Sequence, residues 1–294
     1  MALLVVVGFS KPSRAAIIID GFSSQTNDRF SNDASFVAAG LDLSGVAIAN
    51  TSASLGAWDD GGRWATMISP NVFLSVQHSN FYPGTGQNIT FYASNDPLGM
   101  TQTRTVQSSK NITGSDIRIG VLAAPLSSNF AYYDFADQPL ETLADFSSSP
   151  YALKNAYLFG RSPTAWATER DMAVGRNVLD GWIADVDGNA DAVVAVRNSN
   201  GDTNYVSNEA YLQVGDSGGP LIVDDGIGNL SIVGLNWFID TIDGKQINGF
   251  SYLGDYADDI NDYLAQHSIP EPRNAGFLLA MGILGLTAAV RRKA

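Results

Sequence analysis

Cysteine is missing from the whole sequence, which excludes disulfides, thiolate-bound zinc and a cysteine nucleophile. The absence does not assign a reducing compartment, because 294 residues can bury a stabilising core without covalent staples. Histidine is almost as scarce. His78 and His267 are the entire supply, so imidazole chemistry has two candidates. Positive charge is also sparse, with 17 Lys and Arg against 30 Asp and Glu, for a net charge of -13. Six of the bases (Lys11, Arg14, Arg273, Arg291, Arg292 and Lys293) stand near the ends, so residues 16–272 carry 11 bases against 30 acids, a balance of -19. Such a body repels nucleic acid and anionic membrane surfaces. A chain 45% apolar and only 16% charged is neither a disordered tail nor a coiled coil.

The two ends differ from the body. Ala2 to Phe9 is apolar and is followed by small residues up to Ala16, which suits a signal peptide over residues 1–16 and cleavage by signal peptidase. The alternative is a buried strand. At the other end, Pro270-Glu271-Pro272 precedes sixteen uncharged residues, Ala275 to Val290, and then Arg291-Arg292-Lys293. As a helix this segment spans ~24 Å, close to the thickness of a bilayer core, with the basic cluster left on the cytoplasmic side. These three parts in this order resemble the PEP-CTERM sorting signals of exopolysaccharide-producing Gram-negative bacteria. The resemblance implies an exosortase-type sorting enzyme as partner, removal of the tail, and delivery to the cell surface or extracellular matrix. A plain membrane anchor is the alternative.

Between the ends, short apolar or alternating runs recur, with turn signals between them. They are Gly45 to Ala49, Trp64 to Ile68, Val72 to Val76, Ile89 to Tyr92, Ile117 to Leu122, Tyr157 to Phe159, Ala192 to Val196, Leu221 to Val223, Ile232 to Phe238 and Gln246 to Tyr252. This pattern predicts an all-β sandwich or barrels, and disfavours a parallel α/β sheet. One segment has helical spacing: Leu253, Tyr256, Ile260, Tyr263 and Leu264 predict a single amphipathic helix that closes the fold.

The most specific motif is Gly215-Asp216-Ser217-Gly218-Gly219-Pro220, followed by the apolar strand Leu221 to Val223. A serine nucleophile needs backbone N–H groups aimed at a developing oxyanion, and glycines beside it permit the tight turn. It also needs a base. His78 ends an apolar segment that delivers an imidazole at the end of a strand, whereas His267 follows the last helix and is expected to be solvated and mobile. The carboxylate that orients the base is best supplied by Asp116, immediately before the strand Ile117 to Leu122. A second enzymatic reading takes Gly215 to Gly219 as the G-x-S-x-G elbow of an α/β-hydrolase esterase with His267 as base, but an elbow needs a helix after the serine.

With these residues in place, the body resembles the trypsin-like, or chymotrypsin-fold, serine proteases. The stretch Ile68 to His78 is similar to the strand that leads to the family's histidine, Asp116-Ile117 to its aspartate segment, and Gly215 to Pro220 to its serine signature; the order His, Asp, Ser is also the family's. The resemblance implies two antiparallel six-stranded β-barrels and a C-terminal helix over residues 17–265, with the first barrel about 17–140 and the second about 141–265. Residues 266–294 are then linker and sorting tail.

It further implies His78, Asp116 and Ser217 as catalytic residues and an oxyanion hole at Gly215 and Ser217. Asp216 corresponds to an aspartate held in an ion pair, whose cationic partner the sequence does not identify. Substrate-binding positions fall on Tyr211, Asn236, Trp237 and Phe238. Tyr211 stands where enzymes that cut after Lys or Arg carry an acid, and Phe238 is bulky where small residues are usual.

No cofactor or metal is implied. Asp185, Asp187, Asn189 and Asp191 alternate as in calcium loops, but the glycine is misplaced and a solvated acidic turn is favoured. The expected function is a secreted or cell-surface serine endopeptidase acting on protein or peptide substrates. The alternative is an inactive protease-like binding or matrix protein.

Overall fold

The computed structural model describes residues 16–49, 63–78, 82–164, 170–186, 190–224 and 229–267. The expected signal peptide up to Ala15, the centre of the acidic stretch (Asp187 to Asn189) and the expected sorting tail lie outside the described residues.

The chain enters through β1 (Ile18–Ile19), a four-residue helix α1 (Ser24–Asn27) and a 3-10 turn. Six strands follow: β2 (Val46–Ile48), β3 (Trp64–Met67), β4 (Val72–Val76), β5 (Asn88–Tyr92), β6 (Thr101–Asn111) and β7 (Ile117–Leu122). They form an antiparallel sheet in the order β2-β3-β4-β7-β6-β5, and a bridge between Ala49 and Ile89 brings its two edges together into a nearly closed barrel. Closure removes the sheet edges that would otherwise template aggregation.

The second half contains β8 (Asp134–Phe135), α2 (Leu143–Ser148), β9 (Asn155–Gly160), β10 (Ala173–Val178), β11 (Gly181–Val186), β12 (Ala190–Val196), β13 (Ala210–Tyr211), β14 (Pro220–Asp224), β15 (Leu230–Ile242) and β16 (Lys245–Tyr252), and ends in α3 (Ala257–His267). It forms an eight-stranded sheet with the path β10-β9-β14-β15-β16-β12-β11, and β8 pairs in parallel with β15. The fold is therefore mostly β with a short C-terminal helix, and its second sheet has more strands than the six expected.

Within this sheet β4 is buried on both faces, which is why it shows no alternation of apolar and polar residues and only Ser75 interrupts its apolar run. Phe73, with Met67, Ile89, Phe91 and Val106, fills the barrel interior. Val72, Leu74 and Val76 point the other way and join Ile117, Ile119, Leu158, Phe159 and Leu221 in one core shared by both halves. Trp64 meets Phe159 edge-on across this junction, with ring centroids 6.4 Å apart. The N-terminal segment straps the halves together. β1 pairs with β13, and the Asp28 carboxylate accepts from Ser162 and Thr164. The guanidinium of fully buried Arg29 donates to Val46 O at 2.7 Å, Tyr92 O at 3.2 Å and Asn95 Oδ1 at 3.0 Å in the first half.

The helix forms over the expected segment, with Ile260 and Tyr263 buried. His267 departs from expectation: it is half-buried, its ring stacks on Tyr263 at 4.0 Å, and its carbonyl accepts from Asn71 Nδ2 at 2.8 Å. A helix that follows the second half thus docks back on the turn between β3 and β4.

Candidate active site

Antiparallel pairing of β4 with β7 sets Val76 opposite Ile117, so the residues just beyond these two, His78 and Asp116, meet at one end of the sheet. Gln77 N–H donates to Asp116 O at 2.9 Å and His78 N–H to Asp116 Oδ1 at 3.0 Å, which fixes the histidine backbone against the carboxylate. The imidazole Nδ1 then lies 2.5 Å from Asp116 Oδ2, and Nε2 lies 2.7 Å from Ser217 Oγ. With Nδ1 as donor to the carboxylate, Nε2 is left as an acceptor for the serine proton. Asp116 is 5% exposed, so its carboxylate is largely shielded from water, while the His78 side chain keeps 26% of its surface open to the cleft.

Ser217 sits in the turn between β13 and β14. Gly215 has φ 102°, in the region that favours glycine, and Gly218 has φ 87°. Within the turn Asp216 N–H donates to Gln213 O at 3.0 Å and Gly219 N–H to Asp216 O at 3.2 Å. The N–H groups of Gly215 and Ser217 have no protein acceptor among the described residues, leaving them available to an oxygen beside Ser217 Oγ. β14 follows directly. A nucleophile elbow has no helix to rest on here, and His267 is engaged by Tyr263 rather than by Ser217.

Asp216 is fully buried, and burial pushes its carboxyl up to about 7 against the pull of two backbone donors and the Arg161 charge. Arg161 N–H reaches Oδ1 at 2.6 Å and Gln213 N–H reaches Oδ2 at 2.8 Å. Arg161 thus meets Asp216 through its backbone N–H; its guanidinium, whose charge draws the Asp216 carboxyl down, is paired with buried Asp171 rather than with Asp216 itself. Neither residue belongs to a motif; Arg161 follows β9 and lies 55 residues from Asp216, a contact that only the sheet pairing creates.

A cavity of about 220 Å³ adjoins the serine, lined by His78, Leu212, Gln213, Val214, Asp216, Ser217, Asn236, Trp237, Phe238 and Ile239. Trp237 and Phe238 line this cavity, and so does Val214, 73% exposed, an apolar rim that sequence reasoning missed. Tyr211 does not line this cavity: it is buried in β13, opposite Ile18. Asn236 is 1% exposed and turns its carboxamide into the protein. Of the acidic loop, Asp185 N–H donates to Asp191 Oδ1 at 2.8 Å.

No family model matches this sequence, and no curated protein matches it. Solved structures do. One is the scabies mite inactivated protease paralogue S-I1, with a TM-score of 0.50 at 17% identity over 76% of this chain and 97% of that one. At that identity the likeness concerns the fold alone, which is that of chymotrypsin-like proteins.

Proposed function

We propose that this chain is a serine endopeptidase in which the eight-stranded sheet serves as the second barrel of the chymotrypsin architecture. The observation that carries this reading is the continuous chain of contacts from Asp116 through His78 to Ser217, 2.5 Å and then 2.7 Å long. Ser217 Oγ attacks the substrate carbonyl while His78 Nε2 takes its proton. The N–H groups of Gly215 and Ser217 receive the oxyanion, and His78 returns the proton to the departing amine. Water then enters and attacks the acyl carbonyl while His78 Nε2 takes its proton, and His78 returns that proton to Ser217 Oγ as the acyl–Oγ bond breaks and the acid leaves. Asp116 holds the imidazole in the required tautomer and stabilises its cation. The similar mite protein is described as inactivated, so the shared fold favours neither activity nor its loss; the side-chain geometry favours activity.

Exposure of the purified full-length protein to a fluorophosphonate tests this. Stoichiometric labelling at Ser217, abolished in Ser217→Ala, together with cleavage of a peptide library, is the expected result. An unlabelled wild type would assign the chain to protease-like binding proteins. We further propose export, with processing near Ala16 and near Pro270-Glu271-Pro272, so that intact-mass measurement on native extracellular material should find both ends removed.

A further inference from the structure

Asn236 is expected from its place in β15 to bind substrate, yet its polar atoms are directed elsewhere. Its Nδ2 donates both of its hydrogens to protein carbonyls, Phe159 O at 2.7 Å and Asp216 O at 2.8 Å. Its backbone completes the grip: the Asn236 carbonyl accepts from Gly218 N–H at 2.9 Å, and its N–H donates to Gly219 O at 2.8 Å. Residues 216, 218 and 219 are thus all held by one residue, on both sides of Ser217. The remaining polar atom, Oδ1, is buried with no partner among the described residues. A buried acceptor left unpaired is a cost that natural structures rarely carry without a return. Alanine would avoid that cost altogether, so the return lies in the two donated bonds.

The surroundings are shaped to this grip. A Cβ on Gly219 would lie 2.6 Å from Phe159 O and 2.7 Å from Asn236 Nδ2, so only glycine lets the carboxamide pass between β9 and the turn.

We propose that Asn236 is a positioning residue that latches the nucleophile turn to β9 and β15, holding Ser217 Oγ at His78 and the Gly215 and Ser217 N–H groups toward the cleft; this rests on the serine-nucleophile reading above. The chemistry makes the residue type specific. Aspartate has the same shape but no donor, and its charge faces two carbonyl oxygens. Serine restores at most one donor. Alanine restores none.

The test uses the full-length protein and its Asn236→Asp, Asn236→Ala and Asn236→Ser variants, well below their melting temperatures, with two readouts. The first is the rate of Ser217 labelling by a fluorophosphonate. It should fall about 10- to 100-fold in the Asp and Ala variants, since small misplacements of a reacting group have effects of that order, with Ser in between. The second is amide hydrogen exchange over residues 213–219, which should quicken in the same order while exchange in β4 and β7 stays unchanged. Wild-type labelling rates in the Asp and Ala variants would overturn the proposal. So would slowed labelling with unaltered exchange over 213–219, because Asn236 would then act on something other than the turn. Should the wild type fail to label, the endopeptidase reading falls, and the exchange measurement alone decides the latch. Should Asp or Ala fold poorly, the Ser variant carries both readouts.

Discussion

The ring of Phe238 lies across Gly249 on the neighbouring strand, so closely that a Cβ on Gly249 would stand 2.2 Å from it. The two residues are register partners in β15 and β16, and Trp237 packs edge-on against the same ring at 5.4 Å. The phenyl group thus fills depth that a glycine pair would leave open beside Ser217.

Peptides with small or modest apolar side chains at the cleaved residue are expected to be the best substrates, and those ending in Arg or Lys poor, since Asp216 is the only acid lining the cavity among the described residues and both of its carboxylate oxygens are taken by backbone N–H groups. Phe238→Gly should raise kcat/KM for Phe over Ala at this position by about tenfold or more, as pockets discriminate by roughly this much per few methylenes. A peptide library profiled on both proteins reads this ratio directly.

Loss of either proton-transfer partner should be severe. Ser217→Ala and His78→Ala are each expected to lower turnover by about three or more orders of magnitude, and Asp116→Asn by a comparable amount through the wrong imidazole tautomer. Turnover should also fall on acidification, because an imidazolium cannot accept the serine proton. His267→Ala should keep wild-type turnover, since that ring packs on Tyr263. Steady-state kinetics on the four variants separate these outcomes.

Asp255 gives the protein a pH-dependent stability. Burial pushes its carboxyl up from 3.8 to about 6, opposed by the Leu140 N–H and reinforced by Asp191, and its Oδ2 is buried without a partner among the described residues. Between these values the folded state keeps a proton that the unfolded state has released. The group's stabilising contribution is therefore complete below about pH 4 and lost as pH rises through about 6. Asp255→Asn, which cannot ionise and still accepts from Leu140 N–H, should melt higher than wild type at pH 8. The difference should vanish below pH 4 in thermal scans.

Arg29 distributes its guanidinium over three acceptors in the first barrel while its backbone N–H donates to Met172 O in the second half. Lysine cannot reproduce the planar fork. Arg29→Lys should leave at least one buried carbonyl unpaired and cost about 1–3 kcal/mol in urea unfolding, without moving the contact between His78 and Ser217.

What the sequence determined by itself is local in origin. The glycines, aspartate and serine of residues 215–220 lie within six positions. The strand Val72 to Val76 announces itself as an apolar run broken only by Ser75, and α3 by its spacing. With two histidines in the chain, the base was nearly chosen by scarcity alone. The tertiary structure decided everything that depends on strands meeting. β6 was not legible, because only Val106 among its eleven residues is buried and no alternation marks it. The β4 and β7 register brought Asp116 to His78 across 38 residues, and the β9 to β14 pairing set Arg161 against Asp216 across 55. Asn236 and Phe238 were visible as unusual residues in a substrate strand, but composition does not say which way a side chain turns. Burial sent one into the serine turn and the other over Gly249 on the adjacent strand, because each position's partner is set by sheet register and not by neighbours in sequence.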